Sequence, residues 1–376
     1  MPSIEARDLT VVRGGRTLLD GVSLVVPDAE TLAIVGPPGA GKSLLLQVLV
    51  GLEDPTDGDI VIDDKVVTGD SPRKRDLSMV FEDYALHPNR DVYDNLAFSA
   101  TLRRGYDKEA LAERVEDIAD LLGLHNDLDL RPADLDAQSR QRIATGRAMV
   151  RDAAAYLFDE PFGAQSARVR PHVRSVVLQW QRENARTTLL TTSDVDEALA
   201  SADRVAVMHQ GFIHQIGTPR ELYERPADMF VAGYLGAPPM NLIPGFPSAD
   251  GIETSLGTMP LSPAQREAVG DREVVVIGIR PEHLGGGEGF SFEGSIDDVE
   301  WRGRSQFVYL GYDIDPALED VLAEVEELVD FDLFQSFVMA EQPSDRALEH
   351  GNPIRLGAEP HHIHLFDPVS GENLSV

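Results

Sequence analysis

The sequence predicts a layered α/β domain followed by a small all-β domain, and three observations carry that prediction. From Leu18 to Gly217, short apolar strand-like runs alternate with amphipathic helical stretches, the pattern of a sheet with helices packed on its faces. One run, Thr31–Val35, feeds a glycine-rich turn that opens a helical stretch over Ser43–Gly51. After about Gly236 the texture changes to short alternating runs separated by turn residues, as in a small barrel or sandwich.

Further buried-strand candidates in the first part are Ala155–Phe158, Thr188–Thr192 and Val205–His209, the last entering the turn Gln210-Gly211. Between the first two strands lies a mostly helical segment, Tyr106–Gly123, with its charges on one face. Residues 237–250, rich in Pro and Gly, read as a linker, which divides the chain into domains 1–236 and 237–376. Beyond it the strand candidates are Val274–Ile279, Phe292–Ile296, Gln306–Leu310 and His362–Phe366. The acidic run Glu319–Asp330 has apolar residues at helical spacing and predicts an amphipathic helix inserted among these strands. On a strand His361 and His362 face opposite sides, and no nearby acidic pattern completes a metal shell, so these histidines and His364 read as barrel-surface residues.

Composition narrows the class of function. At 376 residues there is room for two domains, each with its own core, and 42% hydrophobic with 26% charged residues is ordinary for globular protein. No apolar run approaches the ~20 residues that cross a bilayer, and the opening MPSIEARDLT has no signal-peptide pattern, which favours a cytoplasmic chain. Cysteine is absent, which excludes a disulfide framework and thiolate metal sites. A net charge of −31 argues against nucleic acid as a partner, because such binding needs clustered Lys and Arg. The acidity fits either a salty cytoplasm or simply a well-solvated surface.

Gly36-Pro37-Pro38-Gly39-Ala40-Gly41-Lys42-Ser43 matches G-x-x-x-x-G-K-[ST] between a strand and a helix, the context in which that motif cradles phosphate. Its glycines let backbone N–H groups turn inward, and the helix start, continuing through Leu44, adds positive potential. Lys42 is expected to reach the β- and γ-phosphates, and Ser43 to ligate Mg²⁺. Tyr156-Leu157-Phe158-Asp159-Glu160-Pro161 supplies the other half: Asp159 at a strand end for Mg²⁺, Glu160 to polarise the attacking water.

With these motifs the chain resembles the ATP-binding-cassette ATPases, and within them the maltose/polyol (MalK-like) type that powers bacterial sugar importers. The resemblance spans nearly the whole length, through VFEDYALHPNRDVYDNLAF at Val80–Phe98, YERPADMFVAGYLGAPPMN at Tyr223–Asn241, GIRPEHL at Gly278–Leu284 and IRLGAEPHHIHLFDPVSGENL at Ile354–Leu374. It implies a P-loop NTPase cassette with a helical subdomain over about residues 83–150, then an OB-like (TOBE-type) regulatory domain. It implies ATP and Mg²⁺ as cofactors and a place at the cytoplasmic face of the inner membrane. The partners it implies are two permease subunits and an extracytoplasmic solute-binding protein. Two cassettes close face to face, each ATP lying between the phosphate loop of one and the signature helix of the other. Tyr84, Leu86 and His87 fall where the family meets its permease.

Five positions depart from the family pattern. Arg13 stands where an aromatic stacks on adenine, although a guanidinium can also lie against a π face. The Q-loop glutamine is Glu82, a hard oxygen ligand for Mg²⁺ that adds negative charge near the γ-phosphate. The signature Leu-Ser-Gly-Gly-Gln reads Leu135, Asp136, Ala137, Gln138 and Ser139. Asp136 is expected to cap the helix well while opposing a phosphate. The D-loop ends in Ser166 in place of aspartate, and the switch histidine is Ser193. Loss of one oriented transition-state group costs ~10²–10³ in rate. The expectation is a subunit that binds MgATP and hydrolyses it weakly or not at all alone, paired in a heterodimer with a second cassette ATPase. Each mixed site would still keep one defect. The alternative is a non-catalytic structural or regulatory subunit.

Overall fold

Strand ends, more than helices, decide where chemistry can occur in the N-terminal part of this chain. The computed structural model describes residues 3–102, 107–286 and 289–375, and it divides into two compact units, Met1–Pro219 and Arg220–Val376.

The first unit contains two sheets. β1 (Ile4–Arg13), β2 (Arg16–Val26), β4 (Asp57–Ile62) and β5 (Lys65–Val66) form an antiparallel sheet in the order β2-β1-β4-β5. β3 (Thr31–Val35) belongs to a second sheet with β6 (Leu77–Val80), β7 (Ala155–Asp159), β8 (Thr188–Thr192), β9 (Arg204–His209) and β10 (Phe212–Gly217). Its order is β10-β9-β3-β8-β7-β6, parallel except for the β9–β10 hairpin. β3, β7 and β8 are buried at every residue, which is why they read as continuous apolar or Thr-rich runs without alternation.

Helix α1 (Lys42–Val50) buries Leu45, Leu46, Val48, Leu49 and Val50. All five share one cluster with Ile4, Leu9 and Ile60 of the antiparallel sheet and Leu32, Ile34 and Leu157 of the parallel one. At about 1.5–3 kcal/mol per buried aliphatic side chain, this burial outweighs any terminal cap in fixing α1. α2 (Pro72–Arg75) is one turn; α3 (Val92–Thr101), α4 (Lys108–Leu121) and α5 (Ala137–Val150) pack on one another as the helical subdomain. Tyr106, the expected start of the helical segment, lies outside the described residues. α6 (Arg170–Glu183) and α7 (Val195–Ser201) follow β7 and β8.

The second unit begins with α8, whose helix Pro219–Glu224 starts at the boundary, and α9 (Met229–Tyr234). Here the linker expected over 237–250 is corrected: Asn241–Pro247 is a strand, β11, with Asn241 to Gly245 all buried. Pro244 is tolerated inside this strand. It pairs with Val276 on one side, while the strand on the other side reaches only Phe246 and Pro247, so the missing N–H breaks no ladder. β12 (Ile252–Thr254), β13 (Gly257–Met259), β14 (Val275–Ile279) and the C-terminal strand Ile363–Phe366 complete that sheet; α10 (Pro263–Val269) lies between β13 and β14 in sequence. β15 (Phe290–Ser295) pairs with Pro353–Ala358, while β16 (Asp298–Trp301), β17 (Ser305–Gly311) and Phe337–Pro343 form a three-stranded sheet. The predicted acidic helix exists as α11 (Pro316–Val329), buried through Leu318, Leu322 and Val325. A second correction concerns His361 and His362. They sit on a 3-10 turn, Pro360–His362, and the rings of His362 and His283 stack 3.7 Å apart, so strand alternation does not govern them. Among the described residues no helix is long and apolar enough to cross a membrane.

Candidate nucleotide-binding site

The carboxyl ends of β3, β7 and β8 meet at one edge of the parallel sheet, the place where open α/β sheets bind ligands. β3 delivers the chain to Gly36, where a Cβ would lie 1.9 Å from the Met208 carbonyl oxygen, so only glycine fits. Gly41, at φ 103°, caps α1 without any side-chain hydrogen bond, which leaves the N–H groups of the first turn directed into the loop. Lys42 is 7% exposed and donates Nζ to the carbonyls of Gly36 (2.6 Å) and Pro37 (3.1 Å), which places its ammonium inside the loop. Burial lowers its pKa from the ordinary lysine value, against the pull of Glu160, Asp159 and Glu82. All three acids named from the sequence therefore act on one ammonium.

Ser43 Oγ donates to Asp159 Oδ1 at 2.9 Å, and Thr191 Oγ1 donates to the same oxygen at 2.7 Å. This buried hydroxyl–carboxylate pair offers the hard oxygen donors that Mg²⁺ takes, so the donor set fits the metal. Glu160 follows at φ 46°, left-handed for a residue with a side chain, and its N–H donates to the Thr191 carbonyl at 3.1 Å. Burial raises the Glu160 carboxyl above the usual glutamate value; Lys42 and hydrogen bonds from the Ser193 hydroxyl and backbone N–H hold it back. A raised carboxyl is a better proton acceptor from water. Ser193 is thus joined to Glu160 itself. Next to it, Glu197 is 2% exposed, and burial raises its carboxyl to about 7.

The start of α5 is built differently. Asp136 caps it, accepting from the Ser139 N–H at 2.7 Å, and that bond holds the Asp136 carboxyl below its ordinary pKa. Arg142 Nη2 donates to Ser139 Oγ at 2.9 Å. The Asp136 and Ser139 side chains are engaged by their own helix, while Ala137 is exposed and Gln138 half-buried. Ser166 is exposed on the loop after β7.

Leu86, His87 and Tyr84 lie on a segment fixed from two sides. Tyr84 and Ala85 adopt φ 65° and 42°, and their carbonyls accept from Arg147 of α5 at 3.0 and 2.7 Å. Asn95, fully buried, accepts from the His87 N–H at 2.8 Å and donates to the carbonyls of His87, Arg90 and Asp91. The His87 ring rests on Phe98 at 4.1 Å. Arg13, at the end of β1, is exposed and pairs with Glu53 at 2.8 Å.

The structure thus brings Lys42, Ser43, Glu82, Asp159, Glu160 and Ser193 together, while Arg13 and Asp136 have their hydrogen-bonding and ionic partners elsewhere. Sequence reasoning missed Thr191, Gln141, Arg147 and Asn95. No local pattern singled them out: Gln141 stands between Arg140 and Arg142, and Asn95 follows Asp94.

Comparison with known proteins follows the same lines. Residues 19–163 match the ABC transporter family model, and residues 236–284 match the MalK OB fold domain. The trehalose import ATP-binding protein SugC of Mycobacterium tuberculosis is 36% identical over 378 aligned positions, covering 96% of this chain and 95% of that protein. The sn-glycerol-3-phosphate import ATP-binding protein UgpC of Bordetella pertussis is 44% identical, with 79% and 82% covered. The sulfoquinovosyl glycerol transport ATP-binding protein SmoE of Agrobacterium fabrum is 35% identical with both chains fully covered. In fold, the dimeric cassette MJ0796 superposes with a TM-score of 0.54 at 23% identity, over 58% of this chain and 99% of that one.

Proposed function

We propose that this chain, which belongs to the ABC transporter family and carries the family's MalK-type OB domain, is the MgATP-binding subunit of an importer for a sugar, polyol or glycerol-type solute. The names of three relatives, trehalose, glycerol-3-phosphate and sulfoquinovosyl glycerol importers, support that solute class. The phosphate loop and the acidic pair of the phosphate-accepting half are both present in this chain. The loop 36–43 and the first turn of α1 receive the phosphates, and Lys42 neutralises them. Ser43 and Asp159 would hold Mg²⁺, with Glu82 as a further oxygen donor. The metal's chemistry is to neutralise charge on the transferring phosphoryl group. Glu160 orients and accepts a proton from water.

The half offered to a partner's nucleotide is weak. One observation carries this: the Asp136 carboxylate occupies the Ser139 N–H and presents negative charge at the helix start where the family places a γ-phosphate. On the phosphate-accepting side the defect is Ser193, which, bonded to Glu160, lacks the reach and basicity of a switch histidine. Two such chains would give two poor composite sites. The assembly is therefore a heterodimer with a second cassette ATPase, at the cytoplasmic face of the membrane. Two permease subunits and an extracytoplasmic binding protein complete it.

ATP turnover by the chain alone, against turnover in the full transporter, tests this. The lone chain should be at least ~10²-fold slower, and replacing Asp136-Ala137-Gln138-Ser139 by Ser-Gly-Gly-Gln together with Ser193→His should raise its rate. Equal turnover alone and in the complex would remove the heterodimer. Transport that survives Lys42→Ala would favour a purely structural subunit.

A further inference from the structure

Two buried glutamines join the start of α5 to the backbone of Glu160. Gln141 is 3% and Gln165 2% exposed. Gln141 Nε2 donates to the Glu160 carbonyl at 2.9 Å, and its Oε1 accepts from the Ala164 N–H at 3.2 Å and from Gln165 Nε2 at 3.0 Å. Gln165 Nε2 also reaches the Gln138 carbonyl at 3.0 Å, inside the degenerate signature. From the Gln165 carbonyl the path continues: Arg170 donates to it at 3.3 Å and to Asp194 at 3.0 Å, beside Ser193.

Stability alone does not account for this arrangement. The Gln165 Oε1 atom is buried with no hydrogen-bond partner. An orphaned buried acceptor is a desolvation cost that a side chain without that oxygen would not carry. The carbonyl that Gln141 holds belongs to a residue at φ 46°, a conformation that persists only when its surroundings impose it.

We propose that Gln141 and Gln165 are positioning residues for hydrolysis, transmitting the state of the α5 start to the Glu160 backbone and so to its carboxyl. This rests on the reading of the chain as a cassette whose Glu160 takes part in hydrolysis. Contact between the α5 start and a nucleotide on the facing subunit would move the Gln138 carbonyl. Gln165 would follow, and Gln141 would carry the shift to Glu160. A displacement of about 1 Å is enough to cost ~10²-fold in rate.

The test uses Gln165→Met and Gln141→Glu in the full transporter, and the same variants in the lone chain. Gln165→Met should melt at or above the wild-type temperature and bind MgATP within twofold of wild type. Its kcat should nonetheless fall about tenfold, with KM for ATP little changed. Gln141→Glu replaces the donor to Glu160 by a carboxyl oxygen while keeping an acceptor for Ala164, and should give the same split, and the double variant should be no slower than Gln141→Glu alone. In the lone chain, amide exchange at Ala164 should quicken at least tenfold in Gln165→Met. A kcat within twofold of wild type in Gln165→Met, or additive losses in the double variant, overturns the proposal. A wild-type assembly without turnover is a failure of the cassette-ATPase reading itself. In that case Ala164 exchange alone judges the amide link, an unchanged rate overturning it and a faster one sustaining it.

Discussion

Two helices of this chain begin at positions proposed to meet phosphate, α1 after the glycine loop and α5 after Leu135, and they treat their first N–H groups in opposite ways. α1 starts from a left-handed glycine with no side-chain cap, and Lys42 lies buried beside its open end. α5 starts from an aspartate that takes up the Ser139 N–H at 2.7 Å. Both ends carry the same partial positive charge. One leaves it for an anion from outside; the other supplies its own. A helix N-terminus is therefore a phosphate site only when its cap residue leaves the N–H groups free, and one residue decides which it is.

The comparison is sharpest at Lys42. Lys42→Ala should weaken MgATP binding at least ~10²-fold, read by calorimetry on the lone chain, because charge-assisted bonds in a partly buried site are the strong ones. Retained affinity would mean that the uncapped α1 suffices without its lysine.

A smaller effect is expected beside Glu160, at Glu197. Its folded-state carboxyl is raised to about 7, so the folded protein binds the extra proton between pH 4.5 and 7. Stability from this group is present below pH 4.5 and lost as pH rises through 7. Glu197→Gln should stabilise the chain by about 2–3 kcal/mol at pH 8 and by little at pH 4. Thermal melts at the two pH values check the difference, and an equal gain at both would show that burial of charge is not the cause. In the second unit the sign is opposite. Burial depresses His364 to about 4, so that unit loses stability as pH falls from 6.5 to 4.

The smallest effect lies at the closed helix. Asp136→Ala removes the cap and should cost about 1 kcal/mol in stability, measured by denaturant unfolding. It should not weaken MgATP binding by the lone chain, since the proposed phosphate site of this chain is at α1. A loss of affinity equal to that of Lys42→Ala would erase the distinction between the two helix starts.

The phosphate loop, the acidic pair and the Asp136 cap were legible in the sequence because each depends on residues within a few positions of one another. The acidic helix α11 was legible for the same reason, with Leu318, Leu322 and Val325 at helical spacing. Pro244 was read wrongly because its tolerance depends on which neighbouring strand stops short of it. The turn at His362 was not legible, because its stacking partner, His283, is distant in sequence.

By itself the sequence determined that a strand ends in a glycine loop opening a helix, that an acidic pair ends another strand, and that α5 begins with a carboxylate. Local backbone sterics and caps are short-range, and residue type is enough to set them. Only the tertiary structure decided that Ser43 and Thr191 share one oxygen of Asp159, that Ser193 bonds Glu160, and that Gln141 and Gln165 tie α5 to the Glu160 carbonyl. Those contacts join residues up to 116 positions apart, as Ser43 and Asp159 are. They depend on the order β3-β8-β7, which the parallel pairing of buried strands sets and no local pattern encodes.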